Sequence, residues 1–256
     1  MSISASFSSA RRLATAAVIA GSALSMAGCA TQGGSDAARL NSLYRQATAN
    51  PVRTADDRAA DARRNPLEFL KFARVRPGMR VLDVSAGAGY TTQLLALTVG
   101  EHGTVWAQMQ AMDPQFAARL QHHPQPNIIP VIQPFDDPVP RNAPPLDLIT
   151  LIFNYHDIAN LPVDRAQMNE HLFAALKPGG HMVILDHAAP AGSGLNDTWT
   201  LHRIDEQTVK NELEQAGFQL EASDDAFRNP ADPRTQRIFG MTIPVDNFAL
   251  RFVKPQ

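Results

Sequence analysis

The chain of 256 residues reads as an α/β protein: a doubly wound, mostly parallel seven-stranded sheet with a C-terminal antiparallel hairpin and an N-terminal helical extension. Three observations predict this. From residue 80 onward, short apolar runs alternate with segments of helical period, the pattern of β–α units. A glycine-bearing turn, Ser85-Ala86-Gly87-Ala88-Gly89, separates the first run from the first helix of that series. The last two apolar runs, 218–222 and 247–253, have no helix between them, so they are expected to pair as antiparallel neighbours.

Residues 36–49 and 54–64 have helical patterning, the second rich in Ala, Asp and Arg. Pro66 suits a first helical turn, so a short helix is expected over 66–73. Pro77-Gly78 breaks the chain before strand 80–84. Helix 91–99, strand 104–108, helix 114–122 and strand 128–132 follow. The continuous apolar run 146–153 predicts a buried strand. Helix 163–176 stops at Pro178-Gly179-Gly180, and strand 181–186 comes next. Helix 205–216 ends at Gly217, which supplies a left-handed terminus. The connection 223–245 is long and rich in Pro and Arg, the kind of loop that usually carries function.

Composition narrows the function. A hydrophobic share of 44% with 19% charged residues describes a globular domain. A formal net charge of -2 offers no polyanion-binding surface, so nucleic acid is not expected as a partner. The single cysteine, Cys29, excludes an internal disulfide framework and a thiolate metal site. Arg11 and Arg12 precede a small-residue apolar run from Leu13 to Met26, which ends in Met26-Ala27-Gly28-Cys29. That layout is a secretory signal, and its last four residues resemble a bacterial lipobox. The other reading is a buried apolar helix with an inert cysteine. On the lipobox reading, residues 1–28 are a signal peptide and Cys29 is lipidated. Residues 29–36 are then a tether, 37–76 a helical cap and 77–256 the catalytic domain. Ala30 after the cysteine points to an outer-membrane lipoprotein facing the periplasm, held to the membrane only by that lipid.

The strongest local signal is Val81-Leu82-Asp83-Val84-Ser85-Ala86-Gly87-Ala88-Gly89-Tyr90, a strand entering a glycine turn and a helix. Glycines there let the backbone approach a ligand at the carboxyl end of the sheet. A dinucleotide site would need a glycine at 92 and an acid near 109, where Thr92 and Met109 stand. The turn resembles motif I (D-x-G-x-G-x-G) of class I S-adenosylmethionine (SAM) methyltransferases: Asp83, Gly87 and Gly89 match, and Ser85 replaces the first glycine. Leu176-Lys177-Pro178-Gly179-Gly180 and Ala216-Gly217-Phe218 resemble later landmarks of the same Rossmann-like fold. Asp57-Arg58-Ala59-Ala60-Asp61-Ala62-Arg63-Arg64-Asn65-Pro66, Leu201-His202-Arg203-Ile204-Asp205 and Arg228-Asn229-Pro230-Ala231-Asp232-Pro233 are similar to segments of a family of predicted, often exported methyltransferases.

The resemblance implies SAM as cofactor. Asp83 would receive its amino-acid end, directly or through water, with Ser85, Gly87, Gly89 and Tyr90 of the turn around it. Class I enzymes usually end strand two with an acid for the ribose; here a neutral Gln108 stands there and offers only its carbonyl oxygen. Asp136 or Asp137 would reach the adenine amino group, the alternative being a solvated acidic turn, and Asn154 completes the cofactor set.

Methyl transfer needs alignment and exclusion of water, and a base only where the acceptor loses a proton. His156, oriented by Asp157, is the first candidate base and His187 the second, with His202 brought to the same sheet edge. Each histidine has an equal alternative as a strand-end cap. No short His-x-x-x-His spacing is present, so no metal is expected. SAM is made in the cytoplasm, which conflicts with export. Three readings follow: a SAM-dependent methyltransferase acting on a small molecule, a degenerate lipoprotein binding a nucleoside-like or small acidic ligand, and a metal enzyme using the histidines. The first is preferred. The anchor is tested by metabolic labelling with a fatty-acid analogue: the chain takes up label and fractionates with membranes, and Cys29→Ala abolishes both.

Overall fold

The computed structural model describes residues 28–256, with side chains from Asp36 on, together with Met1, Ser2 and Ser4. The signal-like segment and the side chain of Cys29 lie outside the described residues. Residues 1–38 and 39–256 are separate compact units. Helix α1 runs Gly28–Ala49, so the segment read as a tether is helical. Gly33 and Gly34 suggested flexibility, yet extending an existing Ala-containing helix costs far less than nucleating one.

Helix α2, Ala55–Arg64, opens with a reciprocal capping box: Asp57 N donates to Thr54 Oγ1 at 3.1 Å and Thr54 N to Asp57 Oδ2 at 2.9 Å. Asn65 ends it in a left-handed conformation, φ 45°, because Pro66 disfavours helical backbone before it. Helix α3, Pro66–Phe72, follows with its proline in the first turn. The alternating part comprises β1 Arg80–Val84, α4 Tyr90–Val99, β2 Thr104–Met109, α5 Pro114–His122, β3 Ile128–Ile132 and β4 Leu146–Ile152. Next come α6 Tyr155–Ile158, α7 Arg165–Ala175, β5 Leu176–His187, α8 Thr198–Leu201, α9 Glu206–Gln215, β6 Gln219–Ser223 and β7 Asn247–Val253. The one-turn helices α6 and α8 were not expected, since four residues carry no readable period.

One sheet has the order β3-β2-β1-β4-β5-β7-β6. The pairs among β3, β2, β1, β4 and β5 are parallel, whereas β7 runs antiparallel to both β5 and β6. The expected C-terminal hairpin therefore inserts β7 between β5 and β6. Successive residues of the central strands feed two cores. Val81, Val183 and Leu185 join Tyr44, Leu70 and Leu94 on one face. Leu82, Met182 and Ile184 join Met168, Leu172 and Leu213 on the other. Parallel strands collect their carboxyl ends on one edge. Reversal of β7 brings its first residue, Asn247, to that same edge, opposite His187.

Helix α2 is clamped over that edge. Arg119 of α5 meets Asp57 with two hydrogen bonds of 2.8 Å, both side chains nearly buried. Ion pairing with Arg119 and bonds from Thr54 outweigh burial and hold the Asp57 carboxyl below its ordinary pKa. A depressed folded-state pKa gives stability that is present above the unfolded value, about 3.9, and lost as pH falls through the folded one. In thermal unfolding at falling pH, Asp57→Asn should be less stable than wild type at pH 7, and the gap should close below about pH 4.

Candidate active site

The glycine turn after β1 is held from beneath. Ser85, Gly87 and Gly89 all have left-handed φ, at 58°, 52° and 82°. A side chain on Gly89 would come within 2.6 Å of the Phe116 ring, so packing of α5 requires glycine there. One on Gly87 would meet nothing within 4 Å, so this backbone faces open space. Gln108 is fully buried: its Oε1 accepts from Ser85 N at 3.0 Å and its Nε2 donates to Gln133 O at 2.7 Å. The expected ribose acceptor is thus a strut of the turn, because burial leaves its amide only backbone partners.

Asp83 is also buried. Its oxygens accept from Thr92 Oγ1 at 2.6 Å and Thr150 Oγ1 at 2.8 Å, and burial pushes its pKa up to about 6. Instead of receiving an amino group directly, the carboxyl ties β1 to α4 and β4. The Tyr90 hydroxyl donates to Asp61 Oδ1 at 2.7 Å, and Arg53 pairs with the same carboxylate at 2.6 Å. Asp136 offers its backbone oxygen to His171 at 2.8 Å, and neither it nor Gln108 lines the site cavity. Asn154 Nδ2 donates back to Ile152 O at 3.1 Å, so its amide serves the bend after β4. Arg119 adds a bond from its Nε to Ala88 O at 2.8 Å, fastening the far side of the turn.

Two arginines of α2, Arg63 and Arg64, line the site cavity, and Arg64 is the more enclosed. Its guanidinium lies 4.9 Å from the Tyr90 ring centroid and 5.4 Å from that of Phe153, and it forms no salt bridge among the described residues. Burial lowers its pKa. A largely desolvated cation over two rings suits an anionic group of a ligand.

Three histidines converge as the order of the strands implied. At the tip of β5, the fully buried Asp186 accepts from His156 N at 2.9 Å, His156 Nδ1 at 2.7 Å and His187 N at 2.8 Å. His156 Nε2 lies 3.2 Å from Asp157 Oδ1, and His202 Nδ1 reaches that same oxygen at 3.2 Å. The first-choice base is corrected by this geometry. Burial pulls the His156 pKa down, but the Asp186 charge and the bond to Asp157 outweigh it and raise it to about 10. At neutral pH His156 is an imidazolium with no lone pair to offer.

His187 is the opposite case. Burial drives its pKa below the ordinary imidazole value. Its Nδ1 meets Asn247 Oδ1 at 2.6 Å, so the proton sits on Nδ1, and Nε2 has no hydrogen-bond partner among the described residues. Its ring stacks on Phe153 at 4.8 Å. Phe153, His156, Asp157 and His187 line a cavity of about 440 Å³ together with Arg63, Arg64, Phe227, Phe239 and Asn247. Sequence reasoning missed Asn247 and the role of Asp186. Asn247 is 60 residues from His187 and gave no local signal. Asp186 was visible only as the strand tip next to a histidine.

Comparison with known proteins agrees with this fold. A family model described as a methyltransferase domain matches residues 55–223. A ubiquinone/menaquinone biosynthesis C-methyltransferase, UbiE, of Teredinibacter turnerae is 26% identical over 189 residues, 58% of this chain and 70% of that protein. A SAM-dependent methyltransferase of Aquifex aeolicus superposes with TM-score 0.57 at 20% identity, covering 84% of this chain and 98% of the other. A putative methyltransferase of Haloferax volcanii, solved in complex with its Trm112 activator, gives 0.56 at 16% identity, covering 84% and 98%. The fold and its glycine turn define a class I SAM-dependent methyltransferase, with SAM as cofactor. The chain belongs to the methyltransferase-domain family.

Gly87→Ala should cost about 1–2 kcal/mol in urea unfolding, the strain of a left-handed alanine. By isothermal titration it should weaken SAM at least tenfold, because the added methyl occupies the open face of the turn. Unchanged SAM affinity would remove this turn from the cofactor site.

Proposed function

We propose that this methyltransferase acts on a small aromatic acceptor that loses a proton to His187 Nε2. The free nitrogen of a neutral, buried imidazole at the sheet edge carries the reading. The cavity supports it, with Phe153, Phe227 and Phe239 as apolar walls. The relatives that act in ubiquinone and menaquinone biosynthesis are C-methyltransferases, which favours a ring carbon as the nucleophile, activated when a ring hydroxyl gives up its proton.

The residues present fit the cofactor at two places. Gly87 leaves room for close backbone approach, and Arg64 offers a guanidinium with no ion pair among the described residues for the cofactor carboxylate. When bound, SAM supplies an electrophilic methyl carbon on a sulfonium. His187 accepts the acceptor's proton on Nε2 while Asn247 holds the ring through Nδ1. Phe153 and the buried Phe227 limit water at the reacting atoms. His156 fixes the end of β4 against β5 through Asp186.

One observation favours a second reading. Gln108 is committed to backbone, so no carboxylate stands at the end of β2 for a ribose diol. A degenerate domain that retains the fold for another ligand accounts for that. Isothermal titration of the full chain with SAM separates the two: saturable binding supports the enzyme, and no heat at millimolar SAM leaves only the binding module. Given binding, a panel of phenols and quinols assayed for S-adenosylhomocysteine release identifies the acceptor. His187→Gln should then cut turnover by about 10²–10⁴-fold with SAM affinity retained. Equal turnover in that variant would exclude His187 as the base.

A further inference from the structure

We propose that His156 Nε2, Asp157 Oδ1 and His202 Nδ1 form a binding site for one divalent transition-metal ion at the cavity wall. The ligand atoms of these three residues lie within 4.8 Å of one another, and two of the pairs are at 3.2 Å. Ligands about 2.0–2.2 Å from a common ion are separated by roughly 3–4 Å, so small side-chain movements close the set. Local spacing concealed the site, because His202 is 45 residues from Asp157 and comes from a different loop.

Two features set this group apart from a chance cluster. The first is the support behind His156. Asp186, fully buried, holds Nδ1 at 2.7 Å, which leaves Nε2 as the ligating atom once the ion displaces its proton. A carboxylate behind a histidine is the usual device for orienting a metal ligand and raising its basicity. The second is the construction that presents His202. Its backbone is left-handed, φ 53°, and its chain neighbours are fastened on all sides. Arg203, fully buried, bonds Ala188 O at 3.0 Å and pairs with Asp232 at 2.9 Å. Asp205 accepts from Gly192 N at 3.0 Å, and Thr198 Oγ1 donates to Asn160 Oδ1 at 2.7 Å, joining α8 to the end of α6. A loop held this firmly directs one imidazole back onto Asp157.

Two imidazoles and one carboxylate suit Zn²⁺, Fe²⁺ or Co²⁺; Mg²⁺ and Ca²⁺ prefer all-oxygen sets. The ion takes the position of the proton between His156 Nε2 and Asp157 Oδ1. Ligation through Nδ1 puts a proton on His202 Nε2, so the 3.3 Å contact from the exposed Arg237 breaks. Three protein ligands leave coordination positions open, and His156 and Asp157 line the cavity, so an acceptor oxygen is the fitting fourth ligand.

The test uses the full chain carrying Cys29→Ser, freed of metal by a chelator and titrated with Co²⁺. Visible ligand-field absorption should saturate at one equivalent and be displaced by Zn²⁺ but not by equal Mg²⁺. Asp157 and His202 are partly exposed, so Asp157→Ala and His202→Ala should fold, which circular dichroism checks; each should weaken Co²⁺ at least tenfold. Asp186→Asn, which touches no ion, should weaken it about 10–100-fold. Absence of saturable absorption, or affinity unchanged in both alanine variants, would overturn the site. Co²⁺ binding is independent of SAM binding: a chain that takes cobalt but no SAM keeps this site and loses the methyl-transfer reading.

Discussion

Asp186 is the constraint on which the reacting edge depends. Placed at the tip of β5 with no solvent exposure, its carboxylate accepts three hydrogen bonds, two from His156 and one from the His187 backbone. A buried carboxylate without such partners would be prohibitively costly, and removing one member of a buried pair typically costs about 3–5 kcal/mol. The arrangement therefore locks the end of β4 to the end of β5. It also sets the characters of two neighbouring imidazoles. His156, facing two carboxylates, is held positive; His187, facing an amide and a phenyl ring, stays neutral. Environment assigns these residues different roles although their residue type is the same.

A second set of buried polar groups performs the same service for the glycine turn. Gln108 supports it from β2, Asp83 from within β1, and Arg119 from α5. Helix α2 closes over it through the Asp57–Arg119 pair and the Tyr90 hydroxyl on Asp61, a carboxylate that Arg53 also holds. Rigid support of this kind suits a reaction governed by alignment, where small displacements of reacting atoms are expensive. Left-handed backbone at Ser85, Phe153 and His202, three non-glycine residues on the same edge, shows where the scaffold accepts strain.

Much of this was legible in advance. Strands 80–84, 128–132 and 247–253 have the expected bounds, because their apolar runs are closed by Pro, Gly or polar residues that cannot continue them. The convergence of His156, His187 and His202 followed from parallel strand order alone. Their chemistry did not follow. The preference for His156 assumed an open imidazole beside Asp157, and a second carboxylate from the next strand reversed its protonation. Gln108 was read as facing ribose because it ends β2, yet burial turned both ends of its amide to backbone. Asn247, which determines the tautomer of His187, carried no signal because its position results from the reversal of β7.

By itself the sequence determined the fold class, the glycine turn, the family and the sheet edge where chemistry belongs. These rest on period, turn residues and strand order, all short-range properties of a chain. Tertiary structure alone decided which imidazole carries the charge, which polar groups are spent as struts, and which three ligating atoms meet. Those are properties of desolvation and of contacts between residues far apart in the chain, and they exist only once the layers are packed.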